Sequence, residues 1–137
     1  MGLMLDSTAA VAAERQGKNA RQLLESVALE TGDDEIAVSV VTVVELAHGI
    51  TRADTTERRD RRRRFLDEVL TAVPIQPVTV PIALRAGQID GQSQAHGIRI
   101  PLSDLLIGAS ALELGYGVGT ANVRHFELIP GLNVVQI

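Results

Sequence analysis

A chain of 137 residues, 45% of them hydrophobic, has enough apolar side chain to close one core, which excludes a disordered or fibrous chain. Its net charge of −4 argues against a generally basic nucleic-acid binder, and its three aromatic residues argue against a stacking platform for single strands. The absence of cysteine excludes disulfides and thiolate metal sites.

In chain order, "GLML" (2–5) reads as a short buried strand. Asp6, Ser7 and Thr8 follow, all good helix-capping types. Residues 8–15 and 19–30 read as helical, broken near Gly17. "TGDDE" (31–35) is a turn and "EIAVS" (35–39) a second strand. Residues 40–53 look helical despite many valines, because the apolar pattern runs too long for a strand. "TTERRDRRRRFLDEVL" (55–70) predicts a polar-faced helix with Phe65, Leu66, Val69 and Leu70 on its buried side. "VPIQPV" (73–78) is extended, since its prolines disfavour helix. Helix returns over 80–96 and stops at Gly97. "RIPLS" leads into a helix from about 104 to 114, ended by Gly115. "YGVGTA" (116–121) is a short strand and loop, and "LNVVQI" (132–137) a last strand. No apolar run approaches membrane-spanning length and Asp6 arrives too early for a signal peptide, so a cytoplasmic protein is expected.

Short apolar strands alternating with helices predict a single domain over 1–137, a three-layer α/β/α fold with a mostly parallel sheet of four to five short strands. Ligands of such sheets bind beyond the carboxyl ends of the strands. Asp6 follows the first strand directly, Glu45 lies early in the helix after the second, Asp104 opens a helix, and Asn122 follows the strand at 117–120. All four can converge on one edge of the sheet.

Each acid also has a local explanation. Asp6 can cap the first helix. Asp104 can cap its own, in competition with Ser103, where negative charge at a helix start is worth roughly 0.3–1 kcal/mol. Glu45 fits a capping box with Thr42. Taken together these explanations weaken. All three acids are embedded in apolar sequence, and burying three carboxylates side by side is costly unless a cation compensates. Hard oxygen ligands suit Mg²⁺ or Mn²⁺, and such a cluster is suited to phosphodiester hydrolysis. A phosphatase using Asp6 as nucleophile is a weaker reading, because "DST" lacks a second acid two residues on.

At these residues the chain resembles the PIN-domain family, specifically VapC-type toxins of toxin–antitoxin pairs. "LMLDST" resembles the family's opening strand with its first acid, Asp6. "SVVTVVELAHGI" resembles the segment carrying the second, Glu45. "GIRIPLSDLLIGASALELGYGVGTANVRHFELIPGLNVVQI" resembles the family's C-terminal third, with Asp104 as the third acid. Asn122 stands where the family often has a fourth. The resemblance implies a Mg²⁺- or Mn²⁺-dependent endoribonuclease in which Asp6, Glu45 and Asp104 hold the ion. Thr8 and Thr120 would orient a carboxylate or water, Asn122 would hold a water, and Arg124 would contact phosphate. The products would carry a 5′-phosphate and a 3′-hydroxyl. The implied partners are RNA and a small VapB-like antitoxin, with a homodimer and a larger toxin–antitoxin assembly. The non-enzymatic alternative is a degenerate PIN domain that binds RNA or a partner without cutting, favoured only by Asn122.

Three further features stand beside the site. "RRDRRRR" (58–64) holds six arginines and reads first as a solvated helix face laced with i,i+3 and i,i+4 pairs. Its functional alternatives are an RNA-backbone patch or a docking surface for an acidic antitoxin segment. His48 and His125 can each approach the acids, although a lone histidine is more often a surface or packed residue. Gly115, Gly117 and Gly119 follow a helix rather than opening one, which argues against a phosphate-cradling loop.

Overall fold

The first strand, β1 (Leu3–Leu5), is buried along its whole length and forms the centre of the sheet. The computed structural model describes residues 2–32 and 35–137. After β1 come α1 (Ser7–Arg15), α2 (Ala20–Thr31), β2 (Ile36–Ser39), α3 (Val40–Thr51), α4 (Thr56–Ala72) and β3 (Ile75–Gln76). The second half is α5 (Val80–Ala95), α6 (Leu102–Leu114), β4 (Gly117–Thr120), a 3-10 turn (Phe126–Leu128) and β5 (Val134–Gln136). Of the turn expected at 31–35, residues 33 and 34 lie outside the described residues. Gly32 caps α2 in the left-handed conformation that glycine adopts without strain.

The strands form one sheet in the order β3-β2-β1-β4-β5, and every pairing is parallel. Side chains of a strand alternate between faces, and here the alternation divides two cores. Met4 and Ala37 face a layer built by α5 and α6, with Ile82, Ile107 and Phe126 fully buried there. Leu3, Leu5, Ile36 and Val38 face the opposite layer, where α1, α2 and α4 contribute Ala13, Leu23, Val27 and Val69. Each large aliphatic side chain so buried stabilises the fold by about 1.5–3 kcal/mol. Helix α3 bridges the layers, since Val41 packs on the first core and Val43 on the second. The expected three-layer parallel architecture is the one observed.

Local details differ from the sequence expectations. Helix α6 begins at Leu102, two residues earlier than expected, with Pro101 at the cap position and no side-chain cap. Proline fixes φ and removes one of the four N–H groups that a helix start leaves unpaired, and no side chain caps the rest. Asp104 therefore lies inside the first turn, and neither it nor Ser103 is the cap. The Thr42–Glu45 capping box is also absent. Ser39 caps α3, its hydroxyl accepting from the Val41 N–H at 3.1 Å, and Thr42 is buried inside the helix. On α4, Leu70 is 45% exposed instead of buried. It lies about 40° further round the helix than Leu66, past the edge of the apolar stripe.

Glycines in β4 serve packing. A Cβ on Gly119 would sit 2.8 Å from the δ-carbons of both Leu3 and Leu5. Close approach of β4 to β1 requires its absence, and that approach brings Thr120 beside Asp6.

Candidate active site

The chain builds β2 and β3 on one side of β1, then returns to build β4 and β5 on the other. The carboxyl ends of β1 and β4 are therefore the point where the winding reverses, and a crevice opens there. Asp6 is the first residue beyond β1, and its N–H donates to the Gly119 carbonyl at 3.2 Å, joining the two strand ends.

Asp6 caps α1 as the local reading expected, its Oδ1 accepting from the Ala9 N–H at 3.4 Å. It does more than cap. The Thr8 hydroxyl donates to Oδ1 at 2.7 Å and the Thr120 hydroxyl donates to Oδ2 at 2.9 Å. The backbone orients both hydroxyls, because the Ala121 N–H donates to Thr8 Oγ1 and the Asn122 N–H donates to Thr120 Oγ1, each at 3.0 Å. Those N–H groups occupy oxygen lone pairs and leave the single hydroxyl protons for the carboxylate. Thr8 and Thr120 thus hold one oxygen each of the Asp6 carboxylate.

Asp6 is only 5% exposed, and burial pushes its pKa up. The Thr8, Thr120 and Ala9 hydrogen bonds oppose that shift, and the charge of Asp104 adds to it. Glu45, on α3, is also pushed up, first by burial and then by the charges of Asp104 and Asp6, while a hydrogen bond with the Ser7 side chain opposes. Asp104 is raised by burial and relieved by His125, whose Nδ1 lies 3.0 Å from Oδ2. An ionised carboxylate only accepts, so Nδ1 carries the proton. Three carboxylates therefore share one crevice, closely enough that the charge of Asp104 raises the proton affinity of both the others.

No lysine or arginine pairs with any of the three among the described residues. Nor, among those residues, do three acidic or histidine side chains already converge as a ready metal cage. The donor set nevertheless suits a hard divalent cation: oxygen donors only, raised pKa values, and, among the described residues, no lysine or arginine to neutralise them.

The remaining expected site residues fall outside this trio. Asn122 is tied through its backbone to Thr120, while its side chain is exposed and bonded to nothing among the described residues. Arg124 is exposed, and no contact brings it to the acids among the described residues. His48 lines a groove beyond Glu45. Sequence reasoning passed over Ser7, read only as a capping type, and gave His125 no preference over His48. The placement of His125 comes from the buried Phe126 beside it, which anchors the 3-10 turn against the α6 core.

Residues 3–130 match the family model of the PIN domain. Ribonuclease VapC1 of Rickettsia felis is 26% identical over 137 residues, covering 100% of this chain and 97% of that protein. Ribonuclease VapC10 of Mycobacterium tuberculosis (strain H37Rv) is 34% identical over 130 residues, covering 95% and 90%. The crystal structure of VapBC2 from Rickettsia felis bound to a promoter DNA fragment superposes with a TM-score of 0.83 at 22% identity, covering 100% of this chain and 99% of that one. The family match begins in the strand that delivers Asp6 and runs past the turn that delivers His125, and by it the chain belongs to the PIN domain family.

Proposed function

We propose that this chain is a VapC-type endoribonuclease toxin, dependent on Mg²⁺ or Mn²⁺ and neutralised by a VapB-like antitoxin. The observation that carries the proposal is the trio of buried or half-buried carboxylates at the strand reversal, each with a raised pKa and none paired with a lysine or arginine among the described residues. Such a cluster is costly without a compensating cation. Ribonuclease relatives that align over nearly the whole chain support the same reading.

Asp6, Glu45 and Asp104 would hold the ion, directly or through water. Mg²⁺ keeps several of its waters, so the carboxylates need not close into a full cage. When bound, the ion supplies a water of lowered pKa and offsets charge building on the scissile phosphate. The chain's own residues prepare that site. Thr8 and Thr120 favour the ionised form of Asp6. Ser7 does the same for Glu45, and His125 orients Asp104. Asn122 would position a water without adding charge, and exposed Arg124 would reach a substrate phosphate.

An antitoxin segment covering the acids would block access to RNA. A VapBC assembly is the form in which the Rickettsia felis structural neighbour was solved, and we extend that arrangement, with a toxin homodimer inside it, to this chain. A cytoplasmic location accords with an RNA substrate. Among the described residues no helix is long and apolar enough to cross a membrane. The non-cutting alternative rests on Asn122 alone. It leaves unexplained why all three acids keep their supporting hydrogen bonds.

The test is induced expression in a bacterial host, wild type beside Asp104→Asn, with total RNA end-mapped in both. Growth arrest with discrete 5′-phosphate ends, absent in the variant, is the expected result. Soluble wild-type protein that produces neither arrest nor new ends, in cells and on purified RNA with Mg²⁺, would overturn the nuclease reading.

A further inference from the structure

A groove of about 890 Å³ adjoins the candidate active site, sharing Ser7 and Glu45 with it and lined mostly by residues of α1, α3 and α4. Its charge runs against that of the whole chain. Five cationic side chains (Lys18, Arg52, Arg61, Arg62 and Arg64) line it against three acidic ones, in a protein of net charge −4. The fold divides the arginine run into two kinds. Arg62 is committed to structure, donating to Glu14 at 3.1 Å and to the Gly49 carbonyl at 2.6 Å, which ties α4 to α1 and α3. Arg58 pairs with Asp54 on the outer surface at 3.0 Å. Arg52, Arg61 and Arg64 are exposed in the groove wall, and among the described residues no carboxylate engages them.

We infer that this groove is the track for the RNA backbone flanking the cut, with Arg61 and Arg64 as phosphate-binding, positioning residues. The inference rests on the nuclease reading for what happens at the carboxylates beside the groove. Three observations select RNA. A polymer cut at the carboxylates must lie against the residues next to them, and Glu45 itself lines the groove. Arg61 and Arg64 are one helical turn apart, so their guanidinium forks fall on one face and can engage neighbouring phosphates. Val11 and Val44, 45% and 66% exposed on the facing wall, give apolar surface for ribose rings opposite the charges. Contacts of this kind confer affinity without reading sequence.

The test compares wild type with an Arg61→Gln/Arg64→Gln double variant, and with Arg63→Gln as the control on the same helix outside the groove. Binding of a labelled oligouridine in chelator, across a salt series, is read beside cleavage of a long RNA with Mg²⁺. The double variant should bind roughly 5- to 10-fold more weakly, and its salt slope should fall by about 1.4, near 0.7 for each phosphate that is no longer neutralised. Its KM should rise while kcat holds, and Arg63→Gln should match wild type in both. Arg64→Glu alone supplies a second, charge-reversed variant should the double variant melt early. Unchanged affinity, slope and KM in an enzyme that still cuts would overturn the track and leave the nuclease reading standing. Loss of oligoglutamate peptide binding, with oligouridine binding unchanged, would assign the groove to a protein partner and overturn it equally. Loss of oligouridine binding in a protein that never cuts would keep the track and remove the nuclease.

Discussion

The carboxylates at the strand ends and the arginines of α4 are both dense charge, held in opposite ways. Asp6, Glu45 and Asp104 are drawn into an apolar setting, where burial raises the cost of ionising them and hydrogen-bonding neighbours (Thr8, Thr120, Ser7 and His125) oppose that cost. The arginines sit mostly in water, where a charge costs little. Arg62, with its carboxylate and carbonyl partners, is drawn into the packing, while exposed Arg59 donates only to the Ala53 carbonyl at 3.4 Å. Charge inside apolar sequence therefore marks chemistry, since folding would not tolerate it without a use. Charge inside polar sequence leaves the question open until the fold shows which side chains remain unpaired.

The largest test of that contrast is charge removal at the acids. Asp6→Asn and Asp104→Asn should each lower RNA cleavage by at least about 100-fold, measured as kcat/KM on purified RNA with Mg²⁺. The fold should survive in both: asparagine caps α1 as well as aspartate does at position 6, and Asp104 caps nothing, so an amide of the same size leaves α6 unchanged. Cleavage near wild type in either variant would take that acid out of the mechanism.

Removing one neutral donor should cost less. Thr120→Val keeps shape in a fully buried position but deletes the hydroxyl that lowers the Asp6 pKa. Activity should drop by roughly 10-fold, the scale of one lost charge-assisted hydrogen bond. The acid limb of the pH–rate profile should also move to higher pH, because Asp6 then holds its proton longer. A uniform loss with no displacement of the limb would make Thr120 merely structural.

Stability should respond with the opposite sign. Folded-state pKa values above the ordinary carboxylate range mean that the folded chain binds more protons than the unfolded one. The trio's contribution to stability in chelator therefore falls as pH rises from that ordinary range through the raised folded values. Glu45→Gln removes part of this penalty and retains a carbonyl oxygen for Ser7. Its Tm at neutral pH in chelator should exceed wild type by a few degrees, and the gap should close as pH falls. Added Mg²⁺ should raise the wild-type Tm more than the variant's. A lower Tm for Glu45→Gln at neutral pH would show that the carboxylates do not strain the fold.

The smallest effect belongs to the arginines. Arg62→Gln breaks a partly buried pair and a hydrogen bond to a carbonyl, and should destabilise the fold by about 1 kcal/mol in a denaturant melt. Arg63→Gln should leave the midpoint unchanged. Equal midpoints for the two variants would erase the division between structural and free arginines.

The sequence by itself determined the layered parallel fold and singled out the three acids. Both follow from local pattern: short apolar runs between capped helices specify the elements, and a lone acid within an apolar run is legible wherever it occurs. Local pattern offered Thr8 only as a capping type, and its role beside Asp6, like that of Thr120, came from the family resemblance. Only the tertiary structure decided that Pro101, not Asp104, starts α6, and that His125 rather than His48 reaches Asp104. It alone also decided that Arg62 anchors α4 while Arg61 and Arg64 face the groove. Each of these depends on which surfaces meet across the sheet, through pairings between residues far apart in the chain, such as Arg62 with Glu14 and Asp104 with His125. Pattern along the chain specifies which face of an element is apolar. Packing between elements specifies what that face, and its polar back, will touch.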